Sequence, residues 1–270
     1  MTNHDGTASG DVTATSASPP ASTRVDMHVK ILDERVASRA KARGIDVLVY
    51  APHFERLPDI RETAAKFTDD ELLVVPAREV FTGTWRQRRH LLALGLSSPV
   101  PDFITMEAAF ATFARQEAAV LVPHPGFLNV SLGREEVRAH ADEIHAIETY
   151  NGKLFSGQNR LGRELSAAFG IPGFASSYAH LSGSVGEAWT EFDRAIESTE
   201  DLVTALREGA PRRVMYRSGV GHGLRTALEF AHLGFENSWG KIDRLFLSGM
   251  EPTHPGHIAY DGDFDDVREY

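Results

Sequence analysis

The chain has 270 residues, of which 42% are hydrophobic, 28 are basic and 38 are acidic, so its formal net charge is −10. An acidic balance disfavours a broad nucleic-acid-binding face, although a local arginine cluster still allows contact with phosphates. The absence of cysteine excludes disulfides and thiolate metal ligands, so any metal site must use nitrogen and oxygen donors.

The composition also bears on where the protein works. No run of about 18 uninterrupted apolar residues occurs, which predicts no membrane span. The N-terminus lacks a basic stretch followed by an apolar one, so no secretory signal is expected and a cytoplasmic location is favoured. The acidic balance, with arginine far commoner than lysine, fits solvation in high salt, which is a hypothesis about a halophile-like source.

The predicted organisation has three parts. Residues 1–24 are rich in Ser, Thr, Ala, Gly and Pro, and predict a disordered tail. Residues 25–209 predict one α/β barrel. Residues 210–270 predict a strand and helical extension packed on the barrel, followed by an acidic tail.

Apolar runs and capping signals predict the elements in chain order. Strands are predicted at residues 25–29, 46–51, 119–122, 144–150, 173–177 and 212–217, with two more runs that end at Glu79 and begin at His90. Helices are predicted at residues 31–43, 58–67, 105–117, 134–143, 158–169, 199–207, 223–235 and 241–247. The alternation of strands and helices predicts parallel pairing, and seven or eight units favour a closed barrel.

Several residues with nitrogen or oxygen donors lie at or near the ends of these strands. They are His28, His53, Glu79, His90, His124 and His180. The carboxyl ends of barrel strands form one face that carries the active site, so these side chains are expected to converge. A lone histidine near a strand end is usually a packing residue, but six donors in repeated context favour a metal cluster that suits zinc, manganese or iron. The remaining histidines, and the glycine-rich residues 219–223, are interpreted as packing or loop residues.

These residues resemble the motifs of the PHP (polymerase and histidinol phosphatase) superfamily over about residues 25–209. The opening Asp-x-His-x-His of that family is similar to DMHVK at residues 26–30. Its later motifs are similar to segments at residues 44–53, 76–79, 124–125, 148–151, 177–180 and 185–186, with His90 as the downstream histidine. The resemblance implies a distorted seven-stranded β/α (TIM-like) barrel, and a phosphoesterase activity that uses up to three metal ions.

Two positions depart from the family pattern. Lys30 stands where the family has its second histidine, and Tyr178 stands where it has an aspartate. Both family residues hold the same metal, so the resemblance implies that this metal position is empty and that the Lys30 ammonium replaces its charge.

The other two metal positions of the family have counterparts here. The resemblance implies that the second position is complete, since it matches Glu79, His90 and His124. The third would use His53 and His180 with a ligand from the first loop, for which Asp33 and Glu34 are the candidates.

The resemblance therefore implies a phosphoesterase with one or two divalent ions (Zn, Mn or Fe), in which Lys30, Tyr178 and Arg78 stabilise charge on the phosphate. The expected substrate is a small phosphorylated molecule or a nucleic-acid end. The alternative is a catalytically degenerate binding or scaffold subunit, similar to the metal-free barrel of a ribonuclease P protein subunit. A structural metal site without turnover is a third possibility, and the sequence does not fix the oligomeric state.

Overall fold

The computed structural model describes residues 22–127, 130–154, 156–218 and 252–269, with the side chains of residues 156 and 158 left aside. The predicted tail lies outside these ranges except for residues 22–24. The predicted helices 223–235 and 241–247 and the glycine-rich residues 219–223 lie entirely outside them.

The described residues contain nine strands and six α-helices. Strands β1 to β9 are Thr23–Val29, Val47–Tyr50, Leu73–Thr82, Arg89–Leu94, Ala119–Val122, Ala146–Asn151, Gly173–Ser176, Ala188–Phe192 and Arg212–Tyr216. Helices α1 to α6 are Glu34–Ala42, Leu57–Phe67, Met106–Arg115, Arg134–Ala139, Ser156–Phe169 and Thr199–Arg207. Short 3₁₀ turns lie at Ser182–Ser184, Ile258–Tyr260 and Asp265–Val267. No helix in these ranges combines the length and apolar character needed to cross a bilayer.

The strands form one sheet in the order β7-β6-β5-β4-β3-β2-β1-β8-β9. Strands β1 to β3 pair in parallel, and so do β5 to β7. The prediction of parallel pairing throughout is wrong at β4, which runs antiparallel to both neighbours, and at β8, which runs antiparallel to β1 and β9. The hairpin between β3 and β4 spans only residues 83–88, too short for the crossover that a parallel pair needs.

The sheet curves until its two ends nearly meet. Val29 forms a parallel bridge to Ala179, and the backbone N–H of Lys30 donates to the Ala179 carbonyl at 3.0 Å. The backbone N–H of Ala175 in β7 donates to Oγ1 of Thr190 in β8 at 2.9 Å. The expected α/β barrel class is confirmed, with nine strands in the described sheet rather than seven.

The barrel interior is apolar over most of its length and polar at one end. Met27, Val49, Leu92 and Phe174 belong to a buried cluster inside the sheet. Two further buried clusters pack the outer face of the sheet against the helices. The apolar interior leaves one end of the barrel for the polar side chains described below.

A bulge in β1 changes which of its side chains face the barrel interior. The pairing of β1 with β2 shifts between Asp26 and Val29, where β1 holds one extra residue. Strict alternation would place Met27 inside and His28 outside, whereas both lie inside the barrel. The bulge thus turns His28 toward the polar end.

Candidate metal centre

Glu79 lies at the centre of the polar end, and its two carboxylate oxygens contact different groups of side chains. Oε1 lies 2.9 Å from Nε2 of His124, 3.2 Å from Nδ1 of His90 and 3.9 Å from Nε2 of His28. All four side chains are buried. Three imidazoles therefore surround one carboxylate oxygen away from bulk water.

The other oxygen of Glu79 faces a lysine and a fourth histidine. Oε2 lies 2.5 Å from the Lys30 ammonium and 2.7 Å from Nε2 of His53. Lys30 also donates to the Ala51 carbonyl at 2.7 Å. The second oxygen of Glu79 is therefore held by a cation of the protein itself.

The donors of Glu79, His90 and His124 lie within 4.8 Å of one another and are all buried. Among the described residues, neither ring nitrogen of His90 makes a hydrogen bond of good geometry. His124 Nδ1 lies 3.1 Å from Oγ of Ser131, an arrangement that holds Nε2 toward the centre. Two imidazole nitrogens and one carboxylate oxygen match the donors of divalent zinc, manganese or iron, so these residues fit a divalent ion.

Burial keeps His28, His53, His90 and His180 in their neutral form. It lowers the pKa of His90 to about 4 and that of His53 to about 3, although Glu79 opposes both shifts. Burial also holds the pKa of His28 and of His180 well below the usual value. Neutral imidazoles are the form in which histidine binds metals, so the centre is ready to accept an ion at neutral pH.

Glu79 and Lys30 each stabilise the charged form of the other. Burial raises the pKa of Glu79, but the nearby Lys30 ammonium and then His90 outweigh it and hold the pKa well below its ordinary value. Burial lowers the pKa of Lys30 to about 8, and Glu79 opposes that shift. Near neutral pH the pair is therefore a buried carboxylate and a buried ammonium.

Glu148 fixes the loop that carries His124. Its Oε2 accepts the backbone N–H of His124 at 2.5 Å and the side-chain amide of Asn151 at 3.0 Å. Its Oε1 accepts the Ser176 hydroxyl at 2.5 Å. These bonds support His124 in a left-handed backbone conformation, with φ of 34°, which is uncommon outside glycine.

Asp26 ties β1 to the loop after β7. Its two oxygens accept the backbone N–H groups of Ser177 at 2.8 Å and of Gly186 at 2.9 Å. Burial raises the pKa of Asp26 to about 6, and its hydrogen bonds to Ser177 oppose the shift. Gly186 has φ of 71°, and a Cβ there would lie 3.0 Å from the Ile45 side chain, so a larger residue would disturb this clamp.

Tyr178 lies inside the centre. Its ring centroid is 4.8 Å from that of His28 and 5.0 Å from that of His124, and the side chain is buried. The Lys30 ammonium lies 5.6 Å from the ring centroid. The backbone at Tyr178 is also left-handed, with φ of 50°. The ring therefore fills space between two of the predicted ligands.

His180 lies at the edge of the group, and beside it is a lysine that the sequence reasoning missed. The His180 ring centroid is 6.1 Å from that of His53. The buried Lys153 ammonium lies 2.8 Å from Nδ1 of His180 and 5.2 Å from the Tyr178 ring centroid. Its position in the sequence could have indicated a place near the centre, because Lys153 follows the motif segment 148–151 by two residues.

Arg78 does not lie beside the other predicted site residues. Successive side chains of a strand point to opposite faces, so Arg78 points away from the face that carries Glu79. Its Nη2 lies 2.9 Å from Oδ1 of Asp102, and both side chains are fully buried. Asp102 also accepts the backbone N–H of Phe81 at 2.9 Å. The guanidinium therefore holds the chain before α3 against β3.

The first loop supplies no ligand to the centre. Asp33 caps α1 by accepting the backbone N–H of Val36 at 2.8 Å, and Glu34 is exposed. The expected third metal position therefore retains His53 and His180 without the carboxylate that the family pattern adds.

Aromatic side chains extend outward from His53. The ring of Phe54 lies 6.1 Å from that of His53, and the rings of Trp85 and Phe103 lie 6.4 and 6.5 Å from Phe54. The Arg88 guanidinium lies 4.8 Å from the Trp85 ring centroid. Phe54 and Trp85 are partly exposed, so a mixed aromatic and cationic wall adjoins the centre.

Comparisons with known proteins bear on the family of part of the chain and on its fold. A family model described as PHP-associated matches residues 157–211. The matched segment runs from α5 to the residue before β9 and includes Tyr178 and His180, so the chain is similar to PHP-associated proteins over this part of its length. No curated protein matches the sequence.

Solved structures show the same fold at low identity. PsfC from Pseudomonas syringae PB-5123 is 16% identical with a TM-score of 0.61, and the match covers 78% of this chain and 99% of PsfC. PfuEndoQ, a lesion-specific endonuclease from Pyrococcus furiosus, is 14% identical with a TM-score of 0.53. That match covers 72% of this chain and 58% of PfuEndoQ. The chain thus shares the fold of both proteins.

Proposed function

We propose that this chain is a metal-dependent phosphoesterase of the PHP type, which hydrolyses a phosphate ester of a small molecule or of a nucleic-acid end. The observation that carries the proposal is the buried triplet of Glu79, His90 and His124, whose donor atoms lie within 4.8 Å of one another. A divalent ion held there supplies Lewis acidity, which lowers the pKa of a water molecule and polarises a phosphoryl oxygen.

The protein's own residues supply the remaining charge. Lys30 places an ammonium 2.5 Å from Glu79 and keeps that carboxylate ionised. The same ammonium is a fixed positive charge in a water-poor site, where it stabilises the charge that develops on the phosphate. Lys30 therefore takes the electrostatic role of the ion that the first PHP metal position would hold.

Tyr178 and Arg78 receive different roles in this proposal. Tyr178 lies against His28 and His124, so it shapes the inner wall of the phosphate site. Arg78 makes no contact with phosphate, because its guanidinium is buried against Asp102 on the other face of β3.

The aromatic wall supports a substrate that has a flat, apolar group next to its phosphate. Bases and other planar rings stack on Trp and Phe side chains, and an arginine over the same ring adds a cation–π contribution. Trp85 with Arg88, and Phe54 beside His53, offer such a surface. The acidic charge of the whole chain favours a short substrate over a long polyanion.

The test is metal content and phosphatase activity in a Glu79→Gln variant, with Glu71→Gln as the matched control at an exposed position. Because Glu79→Gln leaves the Lys30 ammonium buried without its partner, a Glu79→Gln/Lys30→Met double variant restores a neutral site. We expect both Glu79 variants to lose metal and hydrolysis together, and Glu71→Gln to keep both. Equal metal content in the double variant and the unmodified chain refutes the assignment.

The second candidate is a binding or scaffold subunit without catalysis. The observation that favours it is the Lys30–Glu79 ion pair, which satisfies the central carboxylate without any metal. A folded protein that takes up no added zinc or manganese would support this candidate over the hydrolase.

A further inference from the structure

The Nδ1 atom of His180 has two close neighbours, one of which requires it to accept a hydrogen bond and the other to donate one. The Lys153 ammonium lies 2.8 Å away, and the Tyr178 carbonyl oxygen lies 3.0 Å away. An ammonium can only donate a hydrogen bond, so it requires a lone pair on Nδ1. A carbonyl can only accept one, so it requires a proton on Nδ1.

The outcome of this competition decides whether His180 can bind a metal. A metal-binding histidine usually donates its other ring N–H to a carbonyl or carboxylate, which leaves the second nitrogen free as a ligand. Donation from Nδ1 to the Tyr178 carbonyl would free Nε2 in this way. Acceptance from Lys153 instead puts the proton on Nε2, and a protonated nitrogen is no ligand.

The surroundings favour the bond from Lys153. Both Lys153 and His180 are buried, so the ammonium gains from a hydrogen bond that water cannot replace. A charge-assisted hydrogen bond is roughly twice as strong as the neutral bond from Nδ1 to the Tyr178 carbonyl.

We propose that Lys153 is a positioning residue that fixes His180 as the tautomer protonated on Nε2, and thereby limits the centre to one metal ion. The tautomer follows from the contacts of Nδ1 alone, whereas the ion count rests on the proposed function.

The rest of the third metal position is consistent with this limit. His53 directs Nε2 to Oε2 of Glu79 at 2.7 Å. Asp33, the candidate carboxylate of the first loop, is used as the cap of α1. Without His180, that position retains no set of three donors among the described residues.

The tautomer is tested on the full chain freed of metal by dialysis against a chelator and labelled with ¹⁵N in histidine. Long-range ¹H–¹⁵N spectra distinguish the protonated nitrogen from the bare one, and a His180→Gln variant assigns the signals. We expect a proton on Nε2 in the unmodified chain and on Nδ1 in Lys153→Met. A proton on Nδ1 in the unmodified chain overturns the proposal, whatever the spectra of Lys153→Met show.

The ion count is tested by titration with zinc, followed by elemental analysis. We expect one equivalent in the unmodified chain, two in Lys153→Met, and one in the control Lys41→Met, which removes a lysine from the surface. Two equivalents in the unmodified chain overturn the limit but leave the proposed function standing. No bound zinc refutes the proposed function and the ion count, whereas the spectra still decide the tautomer. If Lys153→Met carries its proton on Nδ1 of His180 but still binds one equivalent of zinc, the link between the tautomer and the number of ions is overturned.

Discussion

The Lys30 ammonium lies 2.5 Å from Oε2 of Glu79, on the opposite side of that carboxylate from the imidazoles of His90 and His124. One carboxylate thus joins a fixed protein cation to a set of metal donors. Near neutral pH, Lys30 therefore supplies a positive charge to the centre from within the protein.

If the PHP resemblance holds at Lys30 and Tyr178, a further metal position can be built there. Lys30→His with Tyr178→Asp puts back the two ligand types of the PHP pattern beside His28 and Glu79. We expect the double variant to bind one more equivalent of zinc than the unmodified chain, as measured by elemental analysis after gel filtration. Lys30→Met with Tyr178→Phe removes the same ammonium and hydroxyl without adding donors, and serves as the control. The same count in both variants would show that Lys30 does not occupy a metal position.

Glu148 is expected to control metal affinity without touching the ion. A Glu148→Gln substitution weakens the bond to the His124 backbone N–H, and we expect zinc affinity to fall by about 10- to 100-fold, as for other residues that orient ligands. Burial already raises the pKa of Glu148, so the neutral side chain should be tolerated in the fold. Competition with a chelating dye measures the affinity, and Glu71→Gln is the control. An unchanged affinity would remove Glu148 from the support of the centre.

The metal-free protein is expected to lose stability in acid. Between pH 6.5 and about 4 the unfolded chain binds protons on His53 and His90, which the folded chain excludes. The free energy of unfolding therefore falls as pH falls through this window, by about 1.4 kcal/mol per pH unit for each net proton. Buried carboxyl groups act in the opposite sense, because burial raises the pKa of Asp26 to about 6 and also raises those of Glu55 and Glu148. The histidines outweigh them, since His28 and His180 also have a pKa well below the usual value and add to the effect of His53 and His90.

Urea unfolding of chelator-treated protein at several pH values measures this dependence. A His53→Gln/His90→Gln variant should show a shallower slope, since it lacks two of the groups. A stability that rises on acidification from pH 6.5 to 4.5 would contradict the neutral, buried state of these histidines.

Arg78 is expected to matter for stability and not for metal binding. Arg78→Met leaves Asp102 buried without its cation, and breaking such a pair costs about 3–5 kcal/mol of unfolding free energy. A second change, Asp102→Asn, removes the stranded charge and should recover part of the loss. Urea unfolding measures both effects, and Arg138→Met at an exposed ion pair is the control. Loss of zinc from folded Arg78→Met would place Arg78 in the centre after all.

Trp85 is expected to select substrates through stacking. Trp85→Ala should raise KM for an aryl or nucleoside phosphate by about tenfold, because tenfold is about 1.4 kcal/mol and stacking on one ring contributes roughly 1–3 kcal/mol. The KM for glycerol phosphate, which has no ring, should stay the same. Steady-state kinetics on the two substrates measure the difference, and equal changes on both would count against the aromatic wall as a binding surface.

The sequence predicted which side chains lie together better than it predicted the sheet that holds them. Five of them meet at one end of the barrel: His28, His53, Glu79 and His124 lie in or after strands that run toward that end, and His90 lies at the start of antiparallel β4, which begins there. The bulge between Asp26 and Val29 could not be predicted, since it depends on pairing between strands. Alternation alone would have placed His28 outside.

The directions of the strands, and the existence of β8, could not be predicted from periodicity alone. The short hairpin at residues 83–88 was a usable signal for an antiparallel pair, and it was overlooked. Strand β8 was missed although Ala188, Thr190 and Phe192 alternate with two less buried residues. Lys153 lies in a loop with no periodic pattern, so only the fold could place its ammonium beside His180.

The central claim is that Glu79, His90 and His124 hold a metal ion, and elemental analysis of the full chain tests it most directly. The chain should be purified without an affinity tag or chelator, beside the Glu79→Gln/Lys30→Met variant. The account predicts one equivalent of zinc, manganese or iron in the unmodified chain and none in the variant. A folded, metal-free chain that takes up neither added zinc nor manganese, or equal metal in both proteins, would contradict it.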